Sequence, residues 1–297
     1  EPEPTDQSED TGPVELSPEQ EAAVAAVEEL GGEIKRNDRE QVVEINLIGC
    51  KATDALLEQI AVLTDLTKLR VSSPDVTDQG MVYLEPLTNL RVLDINECRV
   101  GDEGMAHVAK LTKLEEVQAT QTDVRDPGLA HLAELPALKR LYLARTNIDD
   151  DGLKHLGTCT TLENLDFRDC PLLSDEGIAH LQRLDKLKAI KLWGKQITNE
   201  AMKYFADKER LKVLGLQDTA VEDEGLAHFA DAENLEEVYF FRTAIGDDGI
   251  AHLKNCTKMR VMNLRDTSIT NDALVYLTEM ENLQELDLSE TGVDGEG

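Results

Sequence analysis

The chain has 297 residues, with 60 acidic against 30 basic side chains and a formal net charge of −30. Such a surface repels phosphate backbones and anionic bilayers, so nucleic acids and acidic membrane surfaces are not expected partners, while cationic or neutral ones stay open. No run approaches the ~18 apolar residues that span a bilayer, so no transmembrane segment is expected.

In chain order, residues 1–16 (EPEPTDQSEDTGPVEL) are acidic, Pro-rich and free of Lys and Arg. They cannot bury enough apolar surface to fold and read as a disordered tether. A tether following a removed export signal or lipid anchor would look like this, as would the cut end of a trimmed chain, and the expected location leans toward secreted, periplasmic or lipid-anchored. Residues 17–41 read as an N-terminal cap. Ser17-Pro18-Glu19-Gln20 is a capping box with Pro at the first helical position. The helix runs to Leu30 and stops at Gly31-Gly32. Glu33-Ile34-Lys35 and Val42-Val43-Glu44 then form a hairpin around Asn37-Asp38.

From Val42 a repeat takes over. Val42, Leu66, Leu90, Leu114, Leu138 and Leu162 stand 24 residues apart, as do Leu187, Leu211, Leu235, Met259 and Leu283. One extra residue falls at Cys170-Pro171-Leu172-Leu173, where the turn must bulge. Residues 42–297 thus hold ten repeats of 24–25 residues and the opening of an eleventh, which lacks its helix. In LRVLDINECRVGDEGMAHVAKLTK, apolar residues occupy repeat positions 1, 4, 6, 11, 16, 19 and 22. Positions 4 and 6 alternate as in a half-buried strand, and 16, 19 and 22 form one helix face. Asp or Asn at position 13 (Asp78, Asp102, Asp126, Asp150, Asp175, Asn199, Asp223, Asp247, Asn271) suits a helix N-cap, and Gly at 15 lets the helix start close to the strand. Each unit buries its face only against its neighbours. The predicted fold is an α/β right-handed solenoid, or horseshoe, with a parallel sheet on the concave face and helices on the convex face.

The pattern L-x-x-L-x-L-x-x-(N/C)-x-L resembles the leucine-rich-repeat signature over residues 42–297. The Val76-Thr77-Asp78-Gln79-Gly80-Met81 half resembles the cysteine-containing, ribonuclease-inhibitor-like subclass. The opening is similar to the cap of secreted or lipid-anchored bacterial members of unassigned function. The resemblance implies binding without naming a ligand, since function lives in the site and not the fold. One departure is position 9, usually Asn. Here it reads Cys50, Pro74, Cys98, Thr122, Thr146, Cys170, Lys195, Thr219, Thr243, Thr267 and Thr291. Thr can do part of the Asn amide's work, whereas irregularity is expected at Pro74 and Lys195.

Reactive residues fall into repeat-determined columns. Cys50, Cys98 and Cys170 sit at position 9, and Cys159 and Cys256 at 22, both facing inward. Cys50 and Cys98 would be two strands, ~9.6 Å, apart, beyond the ~7 Å a disulfide allows, so buried thiols are expected. His107, His131, His155, His180, His228 and His252 share a helix column with Tyr83, Tyr204 and Tyr276. Zinc does not exchange His for Tyr, so the column reads as a ladder of half-buried rings bonding neighbouring turns. The Asp150-Asp151 and Asp247-Asp248 pairs lack calcium-loop spacing. No catalytic motif is present, so no enzyme, metal or cofactor is expected.

Strand positions 3, 5, 7 and 8 should face the concave surface, where the repeat does not dictate the residue. Tyr142, Trp193, Tyr239 and Phe241 all fall at positions 5 or 7. Arg145, Arg168, Lys191, Arg242 and Arg265 surround them, with Asp166, Asp169, Gln217 and Asp218 interleaved. Gly194 and Gly215 should leave a gap between Trp193 and the Tyr239–Phe241 pair. Lys186, Lys188, Lys191, Lys195, Lys203, Lys208, Arg210 and Lys212 add a basic stretch with two readings, attraction of an acidic peptide or anionic sugar to the concave face or an offset to neighbouring acids. This composition is that of an interface hot spot for a protein or peptide. A cell-envelope carbohydrate-binding module and a structural scaffold are the alternatives.

Overall fold

The computed structural model describes residues 12–297. The first eleven residues of the expected tether lie outside the described residues. Within the remainder of that stretch, the Val14 N–H donates to the Arg39 carbonyl at 2.9 Å and Leu16 packs against the core. Helix α1 (Pro18–Glu29) follows, with Ser17 Oγ accepting from Gln20 N and Gln20 Oε1 accepting from Ser17 N at 3.0 Å. Gly31 (φ +79°) takes the left-handed conformation that ends it. Strands β1 (Glu33–Arg36) and β2 (Val42–Ile48) pair antiparallel. Asn37 Oδ1 closes their turn by accepting from Arg39 N and Gln41 N, both at 3.0 Å.

The repeats then alternate helix and strand. They run α2 (Asp54–Ile60), β3 (Lys68–Ser72), α3 (Asp78–Val82), β4 (Val92–Asp94), α4 (Asp102–Val108) and β5 (Glu116–Gln118). Next come α5 (Asp126–Leu132), β6 (Arg140–Tyr142), α6 (Asp150–Leu156), β7 (Asn164–Asp166), α7 (Asp175–Ala179) and β8 (Ala189–Trp193). The last are α8 (Asn199–Met202), β9 (Val213–Gln217), α9 (Asp223–Leu226), β10 (Glu237–Tyr239), α10 (Asp247–His252), β11 (Val261–Asn263) and β12 (Glu285–Asp287). The Asn271–Leu277 segment is a 3-10 helix. All strands join one twelve-stranded sheet in chain order, parallel from β2 onward. Strands stack ~4.8 Å apart but helices need 8–10 Å, so the stack curves with the sheet inside.

The core is the set of inward residues at positions 1, 4, 6, 11, 16 and 19. Ile190 and Leu192 of β8, for example, are fully buried while Lys191 and Trp193 between and beside them face outward. The extra residue in the Leu162 repeat is absorbed by pushing Leu172 out to 49% exposure, while Cys170 and Leu173 stay buried.

The position-13 carboxylates do not cap their own helices, as the sequence reading had it. They are the first helical residues, and each reaches to the next repeat. Asp102 Oδ1 accepts from Arg125 N at 2.8 Å and Gly128 N at 2.9 Å. Asp54, Asp78, Asp126, Asp150, Asp175, Asn199 and Asp223 make the same handover to the following unit. This also corrects the reason for Gly at position 15. A Cβ on Gly128 would lie 2.7 Å from that Asp102 oxygen, so the site has room for the carboxylate only if the side chain is absent.

Position 8 is a second feature set by the stack. Glu97, Gln121, Arg145, Asp169, Asp218, Arg242, Asp266 and Glu290 all have φ between 53° and 61°. The left-handed turn lets their N–H groups extend the sheet ladder by one bond, as when Gln121 N donates to Ala144 O at 2.8 Å. At position 9, Thr122, Thr146, Thr219 and Thr243 donate to the carbonyl three residues back, at 2.7–2.8 Å. Lys195 departs from this: its Nζ reaches the carbonyls of Thr219 (2.9 Å) and Arg242 (3.3 Å) in the next two turns. In the Pro74 repeat, Ser73 takes over the turn, donating to Ala52 O at 2.7 Å.

Candidate functional site

All five cysteines are free thiols and, Cys50 apart, buried. Burial pushes Cys98 and Cys256 up to about 11, which leaves little thiolate for nucleophilic or redox work. The histidine column is looser than the ladder the sequence suggested. His155, His180 and His228 are exposed, and only His107 bonds a neighbouring turn, through Nδ1 to Glu85 at 2.6 Å. The reason is that the helices are short and spaced wider than the strands, so rings one repeat apart do not meet.

The concave residues between β8 and β11 form a connected group. Parallel pairing places Lys191 opposite Gly215, Gly215 opposite Tyr239, and Trp193 opposite Gln217. The Trp193 indole N–H donates to Asp218 Oδ2 at 3.1 Å, and Asp218 Oδ1 lies 3.2 Å from Arg242 Nη1. The Arg242 guanidinium sits 4.5 Å from the centre of the Phe241 ring, and that of Arg265 at 5.2 Å. Arg265 also reaches Glu290 at 2.7 Å. The expected gap at Gly215 is not empty. Lys191 crosses it to lie 5.1 Å from the Tyr239 ring centre, and the Gln217 amide folds back over it from two residues further along β9. Gln217 Oε1 is buried there without a hydrogen-bond partner.

The Tyr239 hydroxyl donates to Glu237 Oε2 at 2.9 Å. Desolvation, then that bond to a carboxylate, pushes its pKa up to about 12. Arg168 chelates Asp166 through Nε and Nη2, the latter at 2.6 Å, and this pairing raises the guanidinium's pKa further. Two predicted members stand apart. Tyr142 is half-buried on β6, two strands from Lys191, and Arg145 pairs with Asp169 at 3.2 Å. Beside the group, Lys195, Asp218, Arg242, Asp266 and Ser268 line a recess of about 440 Å³.

Glu237 is the member that sequence reasoning missed, while Asp218 was placed among the interleaved residues without its connecting role. Asp218 connects indole and guanidinium, and its role follows from the left-handed turn at position 8, which no local sequence signal announces. The basic stretch from Lys186 to Lys212 does not gather on the concave face. Its members follow the winding of the chain. Lys188 pairs with Glu163 and Lys212 with Glu236 on the rim, Lys203 with Glu200 on a helix, and Lys208 is buried beside Asp185. Lys191 joins the aromatic group, and Lys195 lines the recess beside it.

The sequence matches the leucine rich repeat family over residues 87–109, 135–157 and 158–185. The solenoid built from 24-residue strand–helix units agrees with that match throughout. The fold is a leucine-rich-repeat solenoid. No curated protein matches it in sequence. Among solved structures, the leucine-rich-repeat chain is similar to an internalin from Listeria monocytogenes, with 16% identity, a TM-score of 0.55, and coverage of 90% of this chain and 94% of the other. It is similar to internalin C2 of the same species, at 18% identity and a TM-score of 0.51, covering 93% of each. A plant peptide hormone receptor, RGFR1 in complex with RGF2, shares 15% identity and a TM-score of 0.51 over 80% of this chain and 42% of that one. At such identities the likeness is one of fold. No described helix is long and apolar enough to cross a membrane.

Proposed function

We propose that this leucine-rich-repeat protein is a non-catalytic recognition module that binds a protein or peptide through its concave face, between β8 and β11. The observation that carries the reading is the pre-arranged cluster of Trp193, Asp218, Arg242, Phe241 and Arg265. Trp, Tyr and Arg concentrate the energy of interfaces, and side chains already held in place lose less entropy on binding. The repeat requires none of these residues. Positions 5 and 7 elsewhere on the sheet carry Asn46, Ser72, Asn96 and Thr120 without loss of the fold. The plant receptor structure, solved with RGF2 bound, supports the reading as a case of the same architecture holding a partner.

The test compares wild-type protein with Trp193→Ala, Phe241→Ala and the convex control Asp151→Ala for capture of partners from extracts of the source cells. A partner held by wild type and the control but released by both ring variants is the expected outcome. Trp193 is the only tryptophan, so its fluorescence then gives the affinity directly. Equal capture by all four proteins would overturn the concave-face reading.

A further inference from the structure

At the other end of the sheet a second concave site stands apart from the aromatic group. Glu33 and Lys35 of β1, Glu44 and Asn46 of β2, and Lys68 and Arg70 of β3 line a cavity of about 380 Å³. Strand register sets them side by side: Lys35 opposite Glu44, Glu44 opposite Lys68, and Asn46 opposite Arg70. The acids here already have donors. Glu44 takes Lys35 Nζ at 2.9 Å, Glu33 takes Asn46 Nδ2 at 3.0 Å, and Asp94, the next residue across from Arg70, takes Asn96 N at 3.2 Å.

The two inner cations do not have acceptors. Among the described residues Lys68 and Arg70 form no hydrogen bond or ion pair, and Arg70 Nε is buried without a partner. Every other concave cation on strands β3 to β11 is engaged: Arg140 with Glu116, Arg168 with Asp166, Lys191 on the Tyr239 ring, and Arg265 with Glu290. In a protein with twice as many acids as bases, two adjacent cations around a cavity that reach Glu44 and Asp94 only through space, with no hydrogen-bonded partner among the described residues, are an exception. A buried donor without an acceptor is disfavoured, and a ligand oxygen would relieve it.

We propose that Lys68 and Arg70 form a carboxylate-binding subsite at the N-terminal end of the concave face, fitted to the side chain of an acidic residue in an extended peptide. The guanidinium offers a carboxylate two parallel N–H donors, and Lys68 adds a third from the adjacent column. Glu33 and Glu44 on the rim oppose a dianion such as phosphate and leave room for a single charge. The subsite lies five strands, ~24 Å, from Trp193, so its test does not depend on that cluster.

The experiment follows the Arg70 Nε–Hε resonance of the full chain, assigned by its loss in Arg70→Lys. The probes are N-acetyl-glutamate α-amide, its glutamine counterpart, and acetate. The expected result is a saturable shift with the glutamate compound, with Kd on the order of millimolar, and none with the glutamine compound. The shift should persist in Trp193→Ala and weaken about tenfold or more in Lys68→Gln. Saturation by the glutamate compound alone assigns the site to peptide side chains. Equal saturation by acetate keeps the carboxylate site but overturns the peptide assignment. No shift with any probe, or an equal shift with glutamine, overturns the proposal. Arg70 and Lys68 are half-buried and hydrogen-bonded to no described protein group, so these variants should fold, which circular dichroism verifies.

Discussion

The helix-start column and the strand-face column of this solenoid obey different rules. At position 13 of the ten full repeats every residue is Asp or Asn, and each one answers to a backbone N–H in the following unit. At positions 5 and 7 the residues change from unit to unit, and their contacts are with each other. The first column is dictated by the repeat, the second is free of it. Where a residue is dictated, changing it should cost stability. Where it is free, changing it should cost only what the protein does.

The largest effect should follow removal of a dictated carboxylate. Asp102→Ala leaves Arg125 N and Gly128 N without an acceptor and should lower unfolding free energy by ~2–3 kcal/mol in a denaturant titration. Asp102→Asn should retain most of it, because Asn199 already makes the equivalent bond to Glu222 N at 2.8 Å. Trp193→Ala should show the reverse profile: ~1 kcal/mol or less in stability, and ~2 kcal/mol in affinity for a concave-face partner. A Trp193→Ala protein that unfolds as readily as Asp102→Ala would make the ring structural and erase the distinction.

Position 8 sits between the two. Gln121, with φ 57°, should tolerate Gly within ~1 kcal/mol but lose ~1–2 kcal/mol on substitution by Val, whose branched Cβ resists the left-handed region. The smallest effect is electrostatic. Tyr239 is raised from its ordinary pKa near 10 to about 12, so whatever its neutral form contributes is intact below pH ~10 and is lost as pH climbs toward 12. The phenolate absorbance of wild type minus that of Tyr239→Phe should show this late ionisation, and Glu237→Gln should move it back down.

Much of the fold was legible because it is periodic. The spacing from Leu66 to Leu283 located every core strand, and the Ser17 capping box located the first helix. Sequence erred where an interaction leaves its own repeat. Asp102 looks like the cap of the helix beside it, since a linear reading cannot tell a near N–H from one 23 residues away. Gln121 and Arg145 carry no mark of a left-handed turn, because the neighbouring strand imposes it. In the site, the columns were readable and brought Lys191, Trp193, Tyr239 and Phe241 together, whereas the Asp218 connection and the Lys191 crossing depend on side-chain direction. Of the two readings open for the basic stretch, the offset to neighbouring acids fits Lys188, Lys203, Lys208 and Lys212, because adjacency along the chain is not adjacency on a coil.

The handover from each position-13 residue to the next unit has a consequence for how such a chain can lengthen. Every interior unit presents one acceptor forward and one set of N–H groups backward, so a duplicated or deleted unit meets matching groups on both sides. Whole 24-residue blocks are therefore interchangeable parts, while a single inserted residue, as near Leu172, must be looped out to the surface. The geometry makes growth by whole turns easy and growth by fractions of a turn awkward, and a genetic history of unequal duplication would leave a molecule of this form.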